Sequence, residues 1–160
     1  MSESPAPKHF PVAWEEMHRN AKALAWRLLD KGPFTGIIAV TRGGMVPACI
    51  VARELDIKLI ETLCISSYDH QNQRKAHILR KPEIADGGSG WIIIDDLVDS
   101  GNTFKIAREF LPNAHYACIY AKPSGAATTD TYITEVSQDT WIHFPWDLEA
   151  QYSKPLVGKG

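Results

Sequence analysis

Little in this chain ties it to a secreted, membrane-spanning or metal-clustered architecture. Three cysteines, Cys49, Cys64 and Cys118, stand singly with no Cys-x-x-Cys pair. The odd count argues against a disulfide framework, and the apolar neighbourhoods read as buried thiols of a reducing cytosol. Six histidines show no metal-ligand spacing; His70 and His77 come nearest and fall in a polar stretch. Basic residues are not in excess: 17 Lys and Arg face 19 Asp and Glu, a formal net charge of −2, so nothing recommends nucleic acid as a partner. No stretch reaches the ~18 apolar residues of a membrane span, and the start Met1-Ser2-Glu3-Ser4-Pro5 lacks a signal-peptide pattern. A Gly-x-Gly-x-x-Gly turn is missing as well. Gly87, Gly88 and Gly90 come before an apolar strand, which argues against a dinucleotide-binding fold. The remaining composition, 44% hydrophobic and 22% charged, suits a single globular domain over residues 1–160.

Periodicity places the elements. Residues 1–11 read as a frayed leader. Trp14, Met17, Ala21, Leu24, Ala25 and Leu28 form a helical stripe that stops near Lys31-Gly32-Pro33. Residues 36–41 read as a buried strand, followed by the turn Arg42-Gly43-Gly44 and a helix from Met45 to Glu54, with Pro47 tolerable in its first turn. Residues 57–65 read as a second strand. The segment 66–81 is polar and too long for a tight turn, so it reads as a mobile loop with one extended piece near His77–Arg80. Strand 91–95, a helix from Thr103 to Leu111 and strand 114–121 complete an alternation that predicts an α/β fold, a parallel sheet flanked by helices. After Lys122-Pro123 the rhythm breaks. Residues 12–122 therefore read as the core, and 123–160 as a small C-terminal hood and tail.

The stretch from Trp91 to Thr103 carries the chemistry. Four apolar residues lead into Asp95 and Asp96; Leu97 and Val98 follow, then Asp99-Ser100-Gly101-Asn102-Thr103. Acids are costly inside an apolar strand, so Asp95 and Asp96 belong where the strand emerges. Taken one at a time they are ordinary strand-end or helix-start charges. Three acids in five positions with Ser-Gly-x-Thr behind them are not. That turn offers backbone N–H groups and two hydroxyls at a helix N-terminus, which favours an anion. Carboxylates beside an anion site repel a phosphate unless they hold a cation or sugar hydroxyls. A phosphorylated sugar with bound Mg²⁺ meets both demands.

This segment resembles the 5-phosphoribosyl 1-pyrophosphate (PRPP) signature of type I phosphoribosyltransferases. Residues 37–47, 64–70, 72–74, 121–123, 138–142 and 145–147 extend the likeness to the bacterial xanthine-guanine branch of that family, over about residues 12–150. The resemblance implies transfer of a phosphoribosyl group from PRPP to N9 of a 6-oxopurine, guanine and xanthine before hypoxanthine, with Mg²⁺ as cofactor. Ser100, Gly101, Asn102 and Thr103 would hold the 5′-phosphate, with Leu97 and Val98 in the same PRPP-binding segment. Asp95 and Asp96 would hold the ribose hydroxyls and the metal, Asp96 being the stronger metal candidate. Asp99 would face N7 of the purine as proton donor or acceptor. Arg42 and Gly43 would contact the pyrophosphate, at a turn where family members often carry a non-proline cis peptide. Arg74, in the polar loop, would close over the reacting centre and act in catalysis. Lys122 would donate to O6, Trp141 would stack on the base, and the main-chain carbonyl of Ile142 would meet the C2 substituent. Three positions depart from the expected pattern: Thr41 for serine, Ser100 for threonine and Asn102 for glycine.

Two other functions use similar parts. A PRPP-sensing regulatory module would keep the binding loop without a purine pocket. A phospho-receiver domain also groups acids and a lysine at strand ends. The resemblance further implies a homotetramer and a peripheral association with the inner face of the cell inner membrane. The residues themselves show no amphipathic anchor and read as a soluble cytoplasmic protein.

Overall fold

The computed structural model describes residues 6–66, 76–147 and 156–158. Eight strands and three α-helices follow in the order β1 (Lys8–Pro11), α1 (Trp14–Leu28), β2 (Gly36–Val40), α2 (Met45–Glu54), β3 (Ile60–Ser66), β4 (His77–Arg80), β5 (Trp91–Val98), α3 (Asn102–Phe110), β6 (His115–Ala121), β7 (Thr131–Glu135) and β8 (Thr140–His143). Six strands form one sheet in the order β4-β3-β2-β5-β6-β7. All its pairings are parallel except β3 with β4. The α/β class expected from the alternation is the fold observed.

The sheet's interior strands are apolar because both faces are covered. Ile92 and Ile94 point to the layer built by Met17, Ala21, Leu24 and Leu28 of α1 and by Ala48, Val51 and Ala52 of α2. Ile93 points the other way, to Phe104 and Ala107 of α3. The period of two along β5 thus feeds two separate cores. Phe104 meets Tyr116 edge-on with ring centroids 5.0 Å apart, and the Tyr116 hydroxyl donates to the Leu111 carbonyl at 3.0 Å. Burial raises the Tyr116 phenol above its ordinary range, which keeps it a neutral donor.

Topology fixes where a ligand can enter. From β2 the chain moves through α2 to β3 on one side; from β5 it moves through α3 to β6 on the other. The direction of winding reverses between β2 and β5, and the crevice beyond their carboxyl ends is the usual binding place in such sheets.

Several expectations need correcting. Residues 8–11 are not frayed leader: β1 pairs in parallel with β8, Lys8 opposite Thr140 and Pro11 opposite His143. Phe10 anchors it against Tyr120, and Val12 is fully buried. Its partner lies far along the chain, so no local pattern announces the strand. Nor does the core sheet end at Lys122. β7 adds its edge strand, Ala117 opposite Thr131 and Ala121 opposite Glu135. Between β6 and β7 there is only a 3-10 turn at Ala126–Thr128, so the strand–helix rhythm does break there, as expected, although the sheet continues. Cys49 is exposed rather than buried, because the helical period of α2 turns Ala48, Val51 and Ala52 inward instead. Trp14 is likewise exposed at the start of α1.

Candidate active site

Three loops leave the carboxyl ends of adjacent strands and converge: Thr41–Gly44 after β2, Asp99–Gly101 after β5, and Lys122–Gly125 after β6. A cavity of about 500 Å³ opens there, lined by Asp95, Leu97 through Thr103, Phe104, Ala76 and Gln138.

β5 runs on to Val98, so Asp95 and Asp96 lie within it and not at its exit. The expectation of emergence still has a physical counterpart. Pairing with β2 stops at Ile94, while pairing with β6 continues to Val98 opposite Ala121. The two acids therefore sit where one neighbouring strand has already turned away. Each folds onto the next amide: Asp95 Oδ1 accepts from Asp96 N–H at 2.8 Å, and Asp96 Oδ1 from Leu97 N–H at 2.6 Å.

Alternation separates their faces. Asp95 lines the cavity on the α3 side, whereas Asp96 leans against the turn after β2. A Cβ placed on Gly43 would come within 2.1 Å of Asp96 Oδ2, so only glycine leaves room for that carboxylate. The backbone of this turn is unusual as well: the peptide bond Thr41–Arg42 is cis. The cis bond thus lies one link before Arg42-Gly43. It is Gly43 that this turn brings against Asp96.

Among the described residues no basic side chain is paired with either acid. Burial raises the Asp95 carboxyl well above its usual range, helped by repulsion from Asp96. Burial also raises Asp96, and Asp147 adds to it. A pair of adjacent acids in this state attracts a divalent cation. Among the described residues no group of three or more His, Cys, Asp or Glu could hold a metal by itself. Mg²⁺ suits such a set, since it binds through one or two carboxylates and takes its other oxygens from phosphates and water. The donor set fits that ion. Cys118, opposite Asp95 on β6, is pushed up to about 12 by burial, so its thiol is inert.

The turn behind the acids presents N–H groups. Gly101 adopts φ +86°, and a Cβ there would meet Thr128 at 2.6 Å, so glycine is required on both counts. The Ser100 hydroxyl accepts from Asn102 N–H at 3.3 Å, and α3 begins at once. Asn102 starts the helix as an exposed residue, so its side chain does not fill the turn.

Of the purine candidates, Lys122 and Asp99 are brought together, whereas Trp141 and Ile142 lie on β8 and do not line the cavity. Lys122 is not a surface lysine. It is buried, its N–H donates to the Val98 carbonyl at 2.9 Å, and its Nζ approaches Asp99 Oδ2 at 3.4 Å. Trp141 is 60% exposed, leaving an indole face free, while Ile142 is buried. The carbonyls of Asp139 and His143 accept from the N–H groups of Lys8 in β1 and Val12 just after it. By alternation the Ile142 carbonyl points to the opposite edge of β8, where no described strand pairs. Gln138 was not singled out as a site residue by sequence reasoning, yet its Nε2 donates to Asp99 Oδ1 at 2.7 Å. Only its place just before Trp141 could have drawn attention to it. Arg74 lies outside the described residues, so the loop-closure expectation finds no geometry here.

Comparison with known proteins agrees with the fold and the signature. The chain is 61% identical over 152 residues to xanthine-guanine phosphoribosyltransferase of Nitratidesulfovibrio vulgaris, covering 95% of this chain and 93% of that one. The protein of the same name from Cereibacter sphaeroides is 50% identical, covering 97% and 96%. A purine phosphoribosyltransferase crystal structure from Pyrococcus horikoshii superposes with a TM-score of 0.75 at 27% identity, covering 91% of this chain and 99% of that one. Residues 12–153 match the phosphoribosyl transferase domain family, and this chain, with its acid pair in β5, the glycine turn behind it and a lysine–aspartate pair joining the ends of β5 and β6, belongs to that family.

Proposed function

We propose that the protein is a purine-salvage enzyme that transfers the phosphoribosyl group of PRPP to N9 of guanine or xanthine, releasing pyrophosphate. Hypoxanthine is the weaker substrate. The observation that carries the choice of base is the Lys122–Asp99 pair, 3.4 Å apart beside the phosphate turn. O6 and N7 are neighbours on one edge of a 6-oxopurine. An amine donor and a carboxylate held side by side match that edge: Lys122 donates to O6, and Asp99 manages the proton at N7. Adenine carries an amino group where the ketone would be, and Lys122 would face a donor. The exposed Trp141 supplies a stacking face worth roughly 1–3 kcal/mol per base. The outward Ile142 carbonyl accepts from the 2-amino group of guanine.

In this mechanism the base displaces pyrophosphate at C1′ through an oxocarbenium-like state, with inversion. Backbone N–H groups of residues 100–103 hold the 5′-phosphate. Arg42 and, by the resemblance, Arg74 would offset the charge of the departing pyrophosphate, the largest electrostatic demand of the reaction. Asp95 and Asp96 would hold Mg²⁺, which when bound supplies positive charge to the pyrophosphate and the ribose hydroxyls. Incubating the protein with PRPP, Mg²⁺ and each purine in turn tests the reading. Nucleoside monophosphate and pyrophosphate should form with guanine and xanthine and not with adenine; silence with every 6-oxopurine would refute it.

The cation requirement has its own pH signature. Asp95 and Asp96 have raised carboxyl pKa values in the folded chain, against about 3.9 when unfolded. The stability they lend the ligand-free protein is therefore full below about pH 4 and lost as pH rises through the raised values. Mg²⁺ binds only the ionised pair, so its stabilisation must grow over the same interval. We expect the Mg²⁺-induced rise in Tm to increase from about pH 4 towards neutrality. A rise that is flat across that range, or largest in acid, would contradict the assignment.

The protein is further proposed to be cytoplasmic and homotetrameric. No described helix is long and apolar enough to cross a membrane. Assembly would need exposed apolar surface, and Leu59, Ile60, Ile78 and Leu79 on β3, β4 and the turn before them, with Trp26 on α1, offer it. Sedimentation would report the oligomer, and vesicle flotation any peripheral attachment to the inner membrane.

A further inference from the structure

Asp99 is held from two sides. Lys122 takes one carboxylate oxygen at 3.4 Å, and Gln138 donates to the other at 2.7 Å. The Gln138 amide has one sensible orientation. Its Oε1 accepts from Ser124 N–H at 3.0 Å, so Nε2 must be the group facing Asp99. Flipping the amide would set its carbonyl against a carboxylate and its NH₂ against an N–H.

The backbone that carries Gln138 is itself pinned. Thr140 N–H donates to the Ser137 carbonyl at 3.0 Å, closing a tight turn. Inside it the Ser137 hydroxyl lies 2.5 Å from Asp139 Oδ1 and 2.7 Å from Thr140 Oγ1. Lys8 N–H donates to the Asp139 carbonyl at 3.2 Å, so β1 braces the turn from outside. β8, bearing Trp141, begins at its end. Gln138 thus joins the stacking strand to the aspartate at the far side of the cavity, which both residues line.

We propose that Gln138 is a positioning residue for Asp99. It rests on the transferase reading above and adds a division of labour to it. When O6 of the base engages Lys122, the lysine's hold on Asp99 is shared, and the Gln138 amide keeps the carboxylate aimed at N7. The same contact sets the spacing between the proton-handling group and the indole that stacks on the ring. Gln138 does not touch the reacting atoms; its effect passes through Asp99.

The test is a double-mutant cycle with steady-state kinetics and a thermal melt for every variant. Gln138→Ala should lower kcat about ten- to a hundredfold, the scale of losing a hydrogen bond to a charged group. The KM for PRPP should stay within about twofold, because the phosphate turn is untouched. Gln138→Glu keeps the shape but turns a carboxylate toward a carboxylate, and its kcat should be no better than that of the alanine variant. In an Asp99→Ala background, Gln138→Ala should change kcat by less than about twofold, since the group it positions is gone. An equal loss in both backgrounds, a kcat unchanged by Gln138→Ala, or a KM for PRPP that rises in step with the loss would overturn the proposal. If the unaltered protein forms no nucleotide, the transferase reading fails instead, so the two failures are distinct.

Discussion

Asp99→Ala is expected to lower kcat by about 10²–10⁴-fold, the usual scale for removing a positioned acid–base group. The KM for PRPP should move by less than about threefold, because main-chain N–H groups bind the phosphate and remain in place. The split follows from how the loop is built. Asp99 sits between strand β5 and the phosphate turn, yet its side chain is turned away from the turn toward Lys122 and Gln138. Its carboxylate makes no hydrogen bond to residues 100–103 among the described contacts. Losing it leaves Lys122 without an acid partner but does not unseat Gly101 or the start of α3. Parallel losses in turnover and PRPP binding would mean that Asp99 serves the sugar phosphate instead.

The second large effect concerns Asp95 and Asp96, where function and stability should move in opposite directions. Replacing both by Asn should weaken Mg²⁺-dependent PRPP binding by more than about 100-fold, beyond what the loss of supporting residues around a metal commonly costs. The ligand-free protein should nevertheless become more stable at neutral pH. Two half-buried, mutually repelling carboxylates with no basic partner among the described residues would be gone, and Asn can still accept from the amides of residues 96 and 97. In a domain of this length each kcal/mol of relieved repulsion shifts Tm by about 2–4 °C. The gain should shrink as pH falls through the raised folded values and vanish below about pH 4, where the unfolded acids are protonated too. Such a trade-off is what an active site that stores repulsion for a cation should show. A double variant that melts lower at neutral pH, with PRPP binding intact, would assign the pair to the scaffold.

How much of this was readable from residue order depended on whether a signal was local. α1 announced itself through Met17, Ala21, Leu24 and Leu28, and β5 through four consecutive apolar residues, because each is buried by its own periodic face. The turn that opens α3 was equally plain, with Gly101 at its positive-φ position and the helix starting directly behind it. β1 and β7 were not legible. Lys8-His9-Phe10-Pro11 has a single inward aromatic, and Thr131-Tyr132-Ile133-Thr134-Glu135 is a half-buried edge strand reached without an intervening helix. Their stability comes from partners far away in the chain. The acids showed an intermediate case. Placing them at the end of β5 was chemically sound, but the strand continues because β6 keeps pairing after β2 has left. Gln138 shows the limit most clearly: its meaning lies in a contact with Asp99, 39 residues away. A regulatory sensor leaves the buried Lys122 beside Asp99 without a task, and a phospho-receiver leaves the Ser100–Thr103 turn without one, whereas phosphoribosyl transfer to a 6-oxopurine uses both.

The decisive measurement is calorimetric titration of PRPP into the protein with and without Mg²⁺. If the two carboxylates of β5 and the N–H groups opening α3 grip one sugar phosphate through a shared cation, heat should appear with Mg²⁺ and collapse when a chelator removes it. Binding of equal strength without the metal, or no heat under either condition, would contradict that claim.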